Sequence, residues 1–462
     1  MLNTNFKDKV YLILNQFLKL LTGLVRNKLV AIFYGSSGIG FLSLYQVLTD
    51  LITQFSMMGT DKLVVTEGAR KKKDISTIQS QYLIVIACNF ILSIVFIFLF
   101  KSYLPSGTRW EYLITFSFVN VMSVFNMAVI NGIGKIKLMI KYQFYSLVVS
   151  NILLLCFFFF LDSEISHVPW LVILTTFPSF IIFSKIKYSH GVKFLFVNGS
   201  FKKDIYKKGF YVASGAFLML FFEFLSKVLL TQKYSLSELG FYQAALTLLN
   251  LLPTLLLGSL ATKYLPSISN TTNDKEVYKV VNGEIEQSLL ICSIPLLTLI
   301  AFSKEFLGIL YSDDFIVASR IVAFTSIGII LKMVTYPLNY ALIAKDENKT
   351  YFNTQFFFHT ANFFLFILTV FLIGFDFLGL SYSLCYMFYF YFLVNISSKK
   401  LNVKLSRNTK KLILNIILIA LILIVLTINE YNSNYIVFIK VFFILSFFMI
   451  SIKNFKRLTN EF

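Results

Sequence analysis

Long apolar runs recur from one end of this 462-residue chain to the other. A helix needs ~20 apolar residues to cross ~30 Å of hydrocarbon. Fourteen stretches qualify: 10–33, 39–58, 81–100, 112–131, 142–161, 168–184, 209–230, 239–262, 285–302, 317–343, 352–373, 377–396, 412–428 and 435–452. A soluble domain is about 25% charged. Here 14% of residues are charged and 57% are hydrophobic, too few charges to cover a water-facing surface of this size. That excludes a soluble enzyme, a disordered tail and a DNA-binding domain. The expected fold class is an all-α polytopic membrane protein with about 14 transmembrane helices. The N-terminus MLNTNFKDKV has no small-residue cleavage site and runs straight into the first span, so no removable signal segment is expected.

The net charge of +19 is read by position. With the N-terminus inside, the inner loops and tail hold 31 of the 42 Lys and Arg. The outer loops hold 4 (Lys101, Arg109, Lys233, Lys304), and 7 lie within spans. Basic residues collect on the cytoplasmic side, so both termini are expected to be cytoplasmic. Arg70-Lys71-Lys72-Lys73 and Lys207-Lys208 are then topology signals, and no nucleic-acid partner is expected. The stretch 188–206 mixes aromatics with Lys and is expected on the inner membrane surface. Outer loops reach only about ten residues (101–111, 231–238), which leaves no room for a soluble domain. No GxxxxGK[ST] motif is present, so no ATPase is built in. Gly38-Ile39-Gly40 reads as a turn between the first two spans. The patterns Asn198-Gly199-Ser200 and Asn270-Thr271-Thr272 fall on the inner side, where glycosylation does not apply. Cys88, Cys156, Cys292 and Cys385 are scattered through apolar runs and read as packing residues. His167, His190 and His359 lie in no metal-binding pattern. No metal or cofactor is expected.

Residues 26–52 and 225–252 repeat one another. Each has a basic residue near the end of one span, a short polar turn, and Gly-Phe opening the next. Gly40-Phe41 matches Gly240-Phe241, Leu48 matches Leu248, Asp50 matches Asn250 and Leu51 matches Leu251. Span 7 then corresponds to span 1. Six spans is an even number, so the copies share one orientation. This predicts two pseudo-symmetric six-helix lobes, 1–200 and 201–400, related about the membrane normal. Residues 401–462 add helices 13 and 14. Such a design suits alternating access around a central cavity.

Seven basic residues lie within spans: Lys19, Arg26, Lys28, Lys227, Arg320, Lys332 and Lys440. They stand against two acids, Asp50 and Glu223. A charge at mid-bilayer costs ~2.5–3.5 kcal/mol on insertion scales and usually faces a cavity or a partner. A cation excess points to a cavity that receives an anion, with Arg26, Lys19, Lys28, Lys227, Arg320 and Lys332 as the candidate lining. Plainer readings stand beside it. Lys28 and Lys440 can snorkel to an interface, Arg320 lies near the outer boundary, and Glu223 and Lys227 form a favourable i, i+4 ion pair. Asp50 either couples transport to H+ or Na+ or pairs with Arg26 or Lys19. Polar residues within spans, among them Gln46, Asn126, Asn250, Asn339 and Gln355, either join helices or line a wet cavity. Pro253, Pro295 and Pro337 can kink spans 8, 9 and 10.

The run KLVAIFYGSSGIGFLSLYQVLTDLITQFSMMGTDKLVVTEGARKK resembles the N-terminus of Wzx-type O-antigen and polysaccharide flippases. Lys28, Ala31, Gly35, Gly38, Gln46 and Gly59 fall on that family's pattern, with Ser36 where it carries Pro. SELGFYQAALTLLNLLPTLLLGSLATKYLP is similar to a second stretch, at Gly240, Tyr242, Gln243, Ala244, Tyr264, Leu265 and Pro266, and EFLGILYSDDF (305–315) to a third. The resemblance implies the MOP/MATE-like exporter fold. It also implies a bacterial cytoplasmic (inner) membrane protein that moves an undecaprenyl-pyrophosphate-linked oligosaccharide from inner to outer leaflet. A polysaccharide polymerase and a chain-length regulator are the implied protein partners. Many members carry Arg at the position of Lys227, and Lys lacks the bidentate fork. The alternatives are a multidrug exporter or lipid II flippase of the same superfamily, or a membrane-embedded polysaccharide polymerase or ligase. The last typically needs a large outer loop with Arg and His, and only His167 lies outside here.

Overall fold

The computed structural model describes residues 6–70, 75–104, 108–160, 167–189, 203–259, 264–269, 271, 273–428 and 434–461. Lys71–Lys73, both glycosylation patterns in whole or part, and residues 190–202 of the inner-surface stretch lie outside the described residues. Among those described the regular structure is entirely helical. Packing divides the chain into two compact units, 1–240 and 241–462.

The first unit begins with α1 (Phe6–Met57), 52 residues carrying a break at Gly35 (φ 65°, ψ −162°). A straight helix of that length would reach about 78 Å, more than twice the hydrocarbon thickness. It is not straight. Arg26 Nη2 donates to Gln46 Oε1 at 3.2 Å, yet twenty residues of unbroken helix would part them by about 30 Å. The chain therefore folds back at Gly35, into arm one (6–34) and arm two (36–57). A positive φ with ψ near 180° is essentially open only to glycine. This corrects the expected turn: Gly38, Ile39 and Gly40 are helical, and the reversal lies just before them.

Gly40 serves close approach instead. A Cβ on Gly40 would lie 2.0 Å from the Leu236 carbonyl oxygen, and one on Gly240 would lie 1.9 Å from that of Ser36. The two glycines matched by the internal repeat thus pack backbone to backbone.

The unit continues with α2 (Thr60–Arg70), α3 (Ile75–Phe98), α4 (Trp110–Gly132), α5 (Ile136–Phe160), α6 (Trp170–Ser189) and α7 (Lys203–Lys233). The inner loop expected at 59–80 is largely helix. Val64 of α2 is buried with Met57, Tyr82, Ile86, Val121 and Phe125. Asn151 Nδ2 of α5 donates to Thr22 Oγ1 at 2.9 Å, fastening arm one.

The second unit contains most of α8 (Leu236–Ser259), then α9 (Leu265–Ser269), α10 (Asp274–Ala301), α11 (Ser303–Leu310), α12 (Ser319–Ala344), α13 (Asn348–Leu368), α14 (Leu378–Lys400), α15 (Arg407–Ile428) and α16 (Asn434–Glu461). Ser383 pins α14 to α12: its hydroxyl donates to the Phe324 carbonyl (2.5 Å) and accepts from Gly328 N (2.8 Å). The final two helices dock on α10. Thr409 Oγ1 and Ser406 Oγ donate to buried Glu286 Oε1 at 2.7 and 3.1 Å. Lys440 Nζ donates to the Ala301 carbonyl at 2.7 Å, placing a cation on the C-terminal end of the α10 dipole.

Eleven segments among the described residues are long and apolar enough to cross a membrane. The expected count of fourteen is not confirmed. One of the eleven, Leu18–Met57, contains the reversal and so holds two of the expected spans, while α16 offers only the shorter apolar run Tyr435–Met449. Large apolar side chains such as Ile91, Leu92, Val95, Phe364, Leu368, Phe438 and Phe442 are exposed on helix faces. A soluble protein does not leave such faces to water. The chain is a multi-pass membrane protein.

Gly240→Ala is expected to lower stability by about 1–3 kcal/mol, because its methyl meets backbone rather than a yielding side chain. Gly23→Ala, where a Cβ meets nothing within 4 Å, is expected to be neutral or slightly stabilising. Thermal unfolding of the purified variants in detergent measures both.

Candidate functional site

In the first unit the in-span charges converge on one face of arm two. Ser43, Gln46 and Asp50 follow at spacings of three and four, so they share a face. Each is addressed by charge. Lys227 of α7 donates to the Ser43 carbonyl at 3.3 Å. Arg26 of arm one donates to Gln46 Oε1 at 3.2 Å and, more weakly, to Asn27 Oδ1 at 3.5 Å. Asp50 lies within the fields of Glu223, Lys227, Lys19 and Arg26. The hairpin at Gly35 creates this arrangement by laying arm one alongside arm two.

Lys227 is the most enclosed of the cations. Its side chain is 4% exposed, and Nζ meets Glu223 Oε1 at 2.9 Å, while the Glu223 side chain is 39% exposed. The i, i+4 pair expected from the sequence is formed. Lys19 is exposed on its helix. Lys28 is two residues from Arg26, about 200° round the helix, and so faces away from the Arg26–Gln46 contact. Three cations (Lys19, Arg26, Lys227) and two acids (Asp50, Glu223) thus lie together, an excess of one positive charge.

The second unit carries a different cation. Lys332 of α12 donates to Asn250 Oδ1 at 2.8 Å. Its ammonium also lies 5.4 Å from the Tyr336 ring centroid and 6.0 Å from that of Tyr382, within cation–π range. Beside it, Tyr389 OH donates to Asn339 Oδ1 (2.9 Å) and accepts from Gln355 Nε2 (2.9 Å). This uncharged network joins α12, α13 and α14. Arg320 is elsewhere, paired with Asp376 at 2.8 Å near the start of α12, with both side chains partly exposed (48% and 37%).

Three features escaped sequence reading. Lys187 is 6% exposed and donates to Asn126 Oδ1 at 2.8 Å; it lies beyond the expected span 168–184, although α6 continues through it. Asp376, the partner of Arg320, lies 56 positions away and no local spacing signals it. Tyr336 and Tyr382 were hidden among 25 tyrosines. Tyr264 of the family-like YLP stretch is buried and donates to the Pro337 carbonyl at 2.9 Å, holding the start of α9 against α12. Among the described residues no group of three His, Cys, Asp or Glu is placed to hold a metal ion.

The sequence model of the family described as polysaccharide biosynthesis protein matches residues 6–272. No curated protein matches in sequence. Among solved structures, lipid II flippase MurJ in an inward closed conformation is 19% identical with a TM-score of 0.68, over 98% of this chain and 99% of that one. A multidrug resistance MATE family transporter of the MOP superfamily, inward-facing, is 12% identical with a TM-score of 0.63, over 84% of this chain and 95% of that one. An outward-facing MATE family transporter of that superfamily gives 14% and 0.58, over 86% and 96%. At these identities the likeness establishes the fold, and it is the MOP/MATE-like fold expected from the sequence.

Removing Glu223 alone leaves an enclosed ammonium without its acid. Glu223→Ala is expected to cost roughly 1–3 kcal/mol, tempered by the partial exposure of the carboxylate. The double change Glu223→Ala with Lys227→Met is expected to recover part of that loss. A double-mutant cycle on thermal unfolding checks the coupling.

Proposed function

The chain belongs to the polysaccharide biosynthesis protein family, and on that premise we propose that it is a flippase for a lipid-linked oligosaccharide. The substrate is an undecaprenyl-pyrophosphate-linked repeat unit of O-antigen or another surface polysaccharide. It moves from the inner to the outer leaflet of the bacterial cytoplasmic membrane by alternating access. The single observation that carries this reading is the set of cations meeting one face of arm two, where Arg26, Lys227 and Lys19 outnumber Asp50 and Glu223.

The physical task is plain. A diphosphate head cannot enter hydrocarbon unaided, because burying its charge without compensation is prohibitive. The prenyl tail needs no help and stays in lipid. Cations held within the membrane by hydrogen bonds to Gln46 and the Ser43 carbonyl are already oriented. Arg26 would exchange the Gln46 amide, and Lys227 the Ser43 carbonyl, for phosphate oxygens, with Glu223 still beside Lys227. Arg26 presents a fork suited to two phosphate oxygens, and Lys227 a point charge. Lys332 supplies the corresponding charge in the second unit, with Lys28 and Arg320 as outlying members of the set. Asp50 balances the cations when the head group is absent and is the proposed point of coupling to H+ or Na+. No covalent step is required, so the protein is proposed to be a transporter and not an enzyme.

The matched halves 1–200 and 201–400 are the proposed functional lobes, with 401–462 as an appended pair. Both termini are proposed to lie in the cytoplasm, a reading the distribution of Lys and Arg supports. A polymerase and a chain-length regulator are the proposed partners receiving the flipped unit. Lipid II carries the same prenyl diphosphate, so the same cations would serve it; a lipid II flippase is required for growth, whereas a surface-polysaccharide flippase is dispensable. A multidrug exporter often takes cationic substrates, which a cation excess disfavours.

In cells, Arg26→Gln is expected to cut surface polysaccharide by about tenfold, the cost of one charge-assisted phosphate contact, while lipid-linked repeat units accumulate on the inner leaflet. Unimpaired polysaccharide in both Arg26→Gln and Lys227→Gln strains would overturn the assignment.

A further inference from the structure

Asp50 and Asn250 occupy matched positions of the internal repeat, nine residues after Phe41 and nine after Phe241. Both meet basic residues inside the membrane, and they do so with opposite consequences. Asp50 is an acid in the fields of Lys19, Arg26 and Lys227 and offsets part of their charge. Asn250 is a neutral amide, and its Oδ1 accepts from Lys332 Nζ at 2.8 Å. Its Nδ2 donates to the Leu246 carbonyl at 2.9 Å, which fixes the amide with its oxygen toward the ammonium. The other neighbours of Lys332, the rings of Tyr336 and Tyr382, are uncharged. Among the described residues no carboxylate pairs with Lys332, whereas Lys227 and Arg320 each have one.

We propose that Asn250 is a specificity-determining residue: by holding Lys332 through a neutral amide where the matched position carries an acid, it leaves that lysine's full charge for the diphosphate head of a lipid-linked substrate. The inference rests on the flippase reading and deepens it. Asn250 orients the ammonium without neutralising it, and two electron-rich ring faces help stabilise the charge while no anion is bound. An acid at 250 would form an internal ion pair with Lys332 and compete with any anionic ligand. The repeat therefore divides the work. Position 50 tempers a cluster of cations, and position 250 leaves the charge of Lys332 uncancelled.

The test is equilibrium binding of farnesyl diphosphate, with farnesol as the uncharged control, to the full-length protein in lipid nanodiscs. The wild-type chain is expected to prefer the diphosphate. Asn250→Asp is expected to weaken diphosphate binding by about tenfold or more, matching Lys332→Met, since each removes one available charge. Asn250→Ala, which loses the orienting amide but keeps the charge, is expected to weaken it only about threefold. Farnesol binding is expected to stay constant across the set, a selectivity that general loosening of the fold would not produce. Equal diphosphate binding by wild type and Asn250→Asp would overturn the inference and leave the flippase reading standing, as would Asn250→Ala falling as far as Lys332→Met. The latter comparison suffices if Asn250→Asp does not fold. A wild-type protein with no preference for diphosphate over farnesol would overturn the flippase reading, and the inference with it.

Discussion

A cation within hydrocarbon must find a partner, and that requirement organises this molecule. The in-span basic residues form a graded series. Lys440 caps the carbonyl end of α10, and Arg320 is paired with Asp376; both serve architecture near helix ends. Lys227 is enclosed, shared between Glu223 and the Ser43 carbonyl. Arg26 rests on the side-chain amides of Gln46 and Asn27. Lys332 rests on one amide and two aromatic rings. Amides and rings hold the Lys332 charge in place without cancelling it, which is what the proposed function asks of a cation that binds an anion. The series therefore runs from cations held by a carboxylate or a helix end toward Lys332, held by uncharged groups.

The backbone makes the series possible. One glycine in a conformation closed to other residues turns a 52-residue helix into a hairpin and brings Arg26 to Gln46. Arm two then becomes the surface on which α7 presents Lys227. A few residues along, Gly40 and Gly240 allow backbone contact that any side chain would block. Three glycines thus set the geometry in which the charged side chains of α1 and α7 meet.

Much of this was legible in the sequence because hydrocarbon imposes a simple length rule. The all-α membrane fold class and the Glu223–Lys227 pair followed from local spacing, and the matching of Gly40 with Gly240 from the internal repeat. What was not legible depended on distance along the chain. Arg26 and Gln46 are brought together only by a reversal at Gly35, and hydropathy placed the turn a few residues later, where Gly38 and Gly40 looked equally suitable. Arg320 and Asp376 meet across 56 residues. The buried Lys187 lies beyond the expected span 168–184, although α6 continues through it. Helix α2 was read as loop because its charged face conceals Val64, which is fully buried.

The central claim is that membrane-embedded cations carry an anionic head group across. It is tested most directly by translocation in liposomes containing the purified protein, comparing an oligosaccharide on undecaprenyl diphosphate with the same oligosaccharide on uncharged undecaprenol. The account expects the protein to speed movement of the diphosphate-linked form and to leave the uncharged form near its rate in protein-free liposomes. Equal acceleration of both, or of neither, would contradict it.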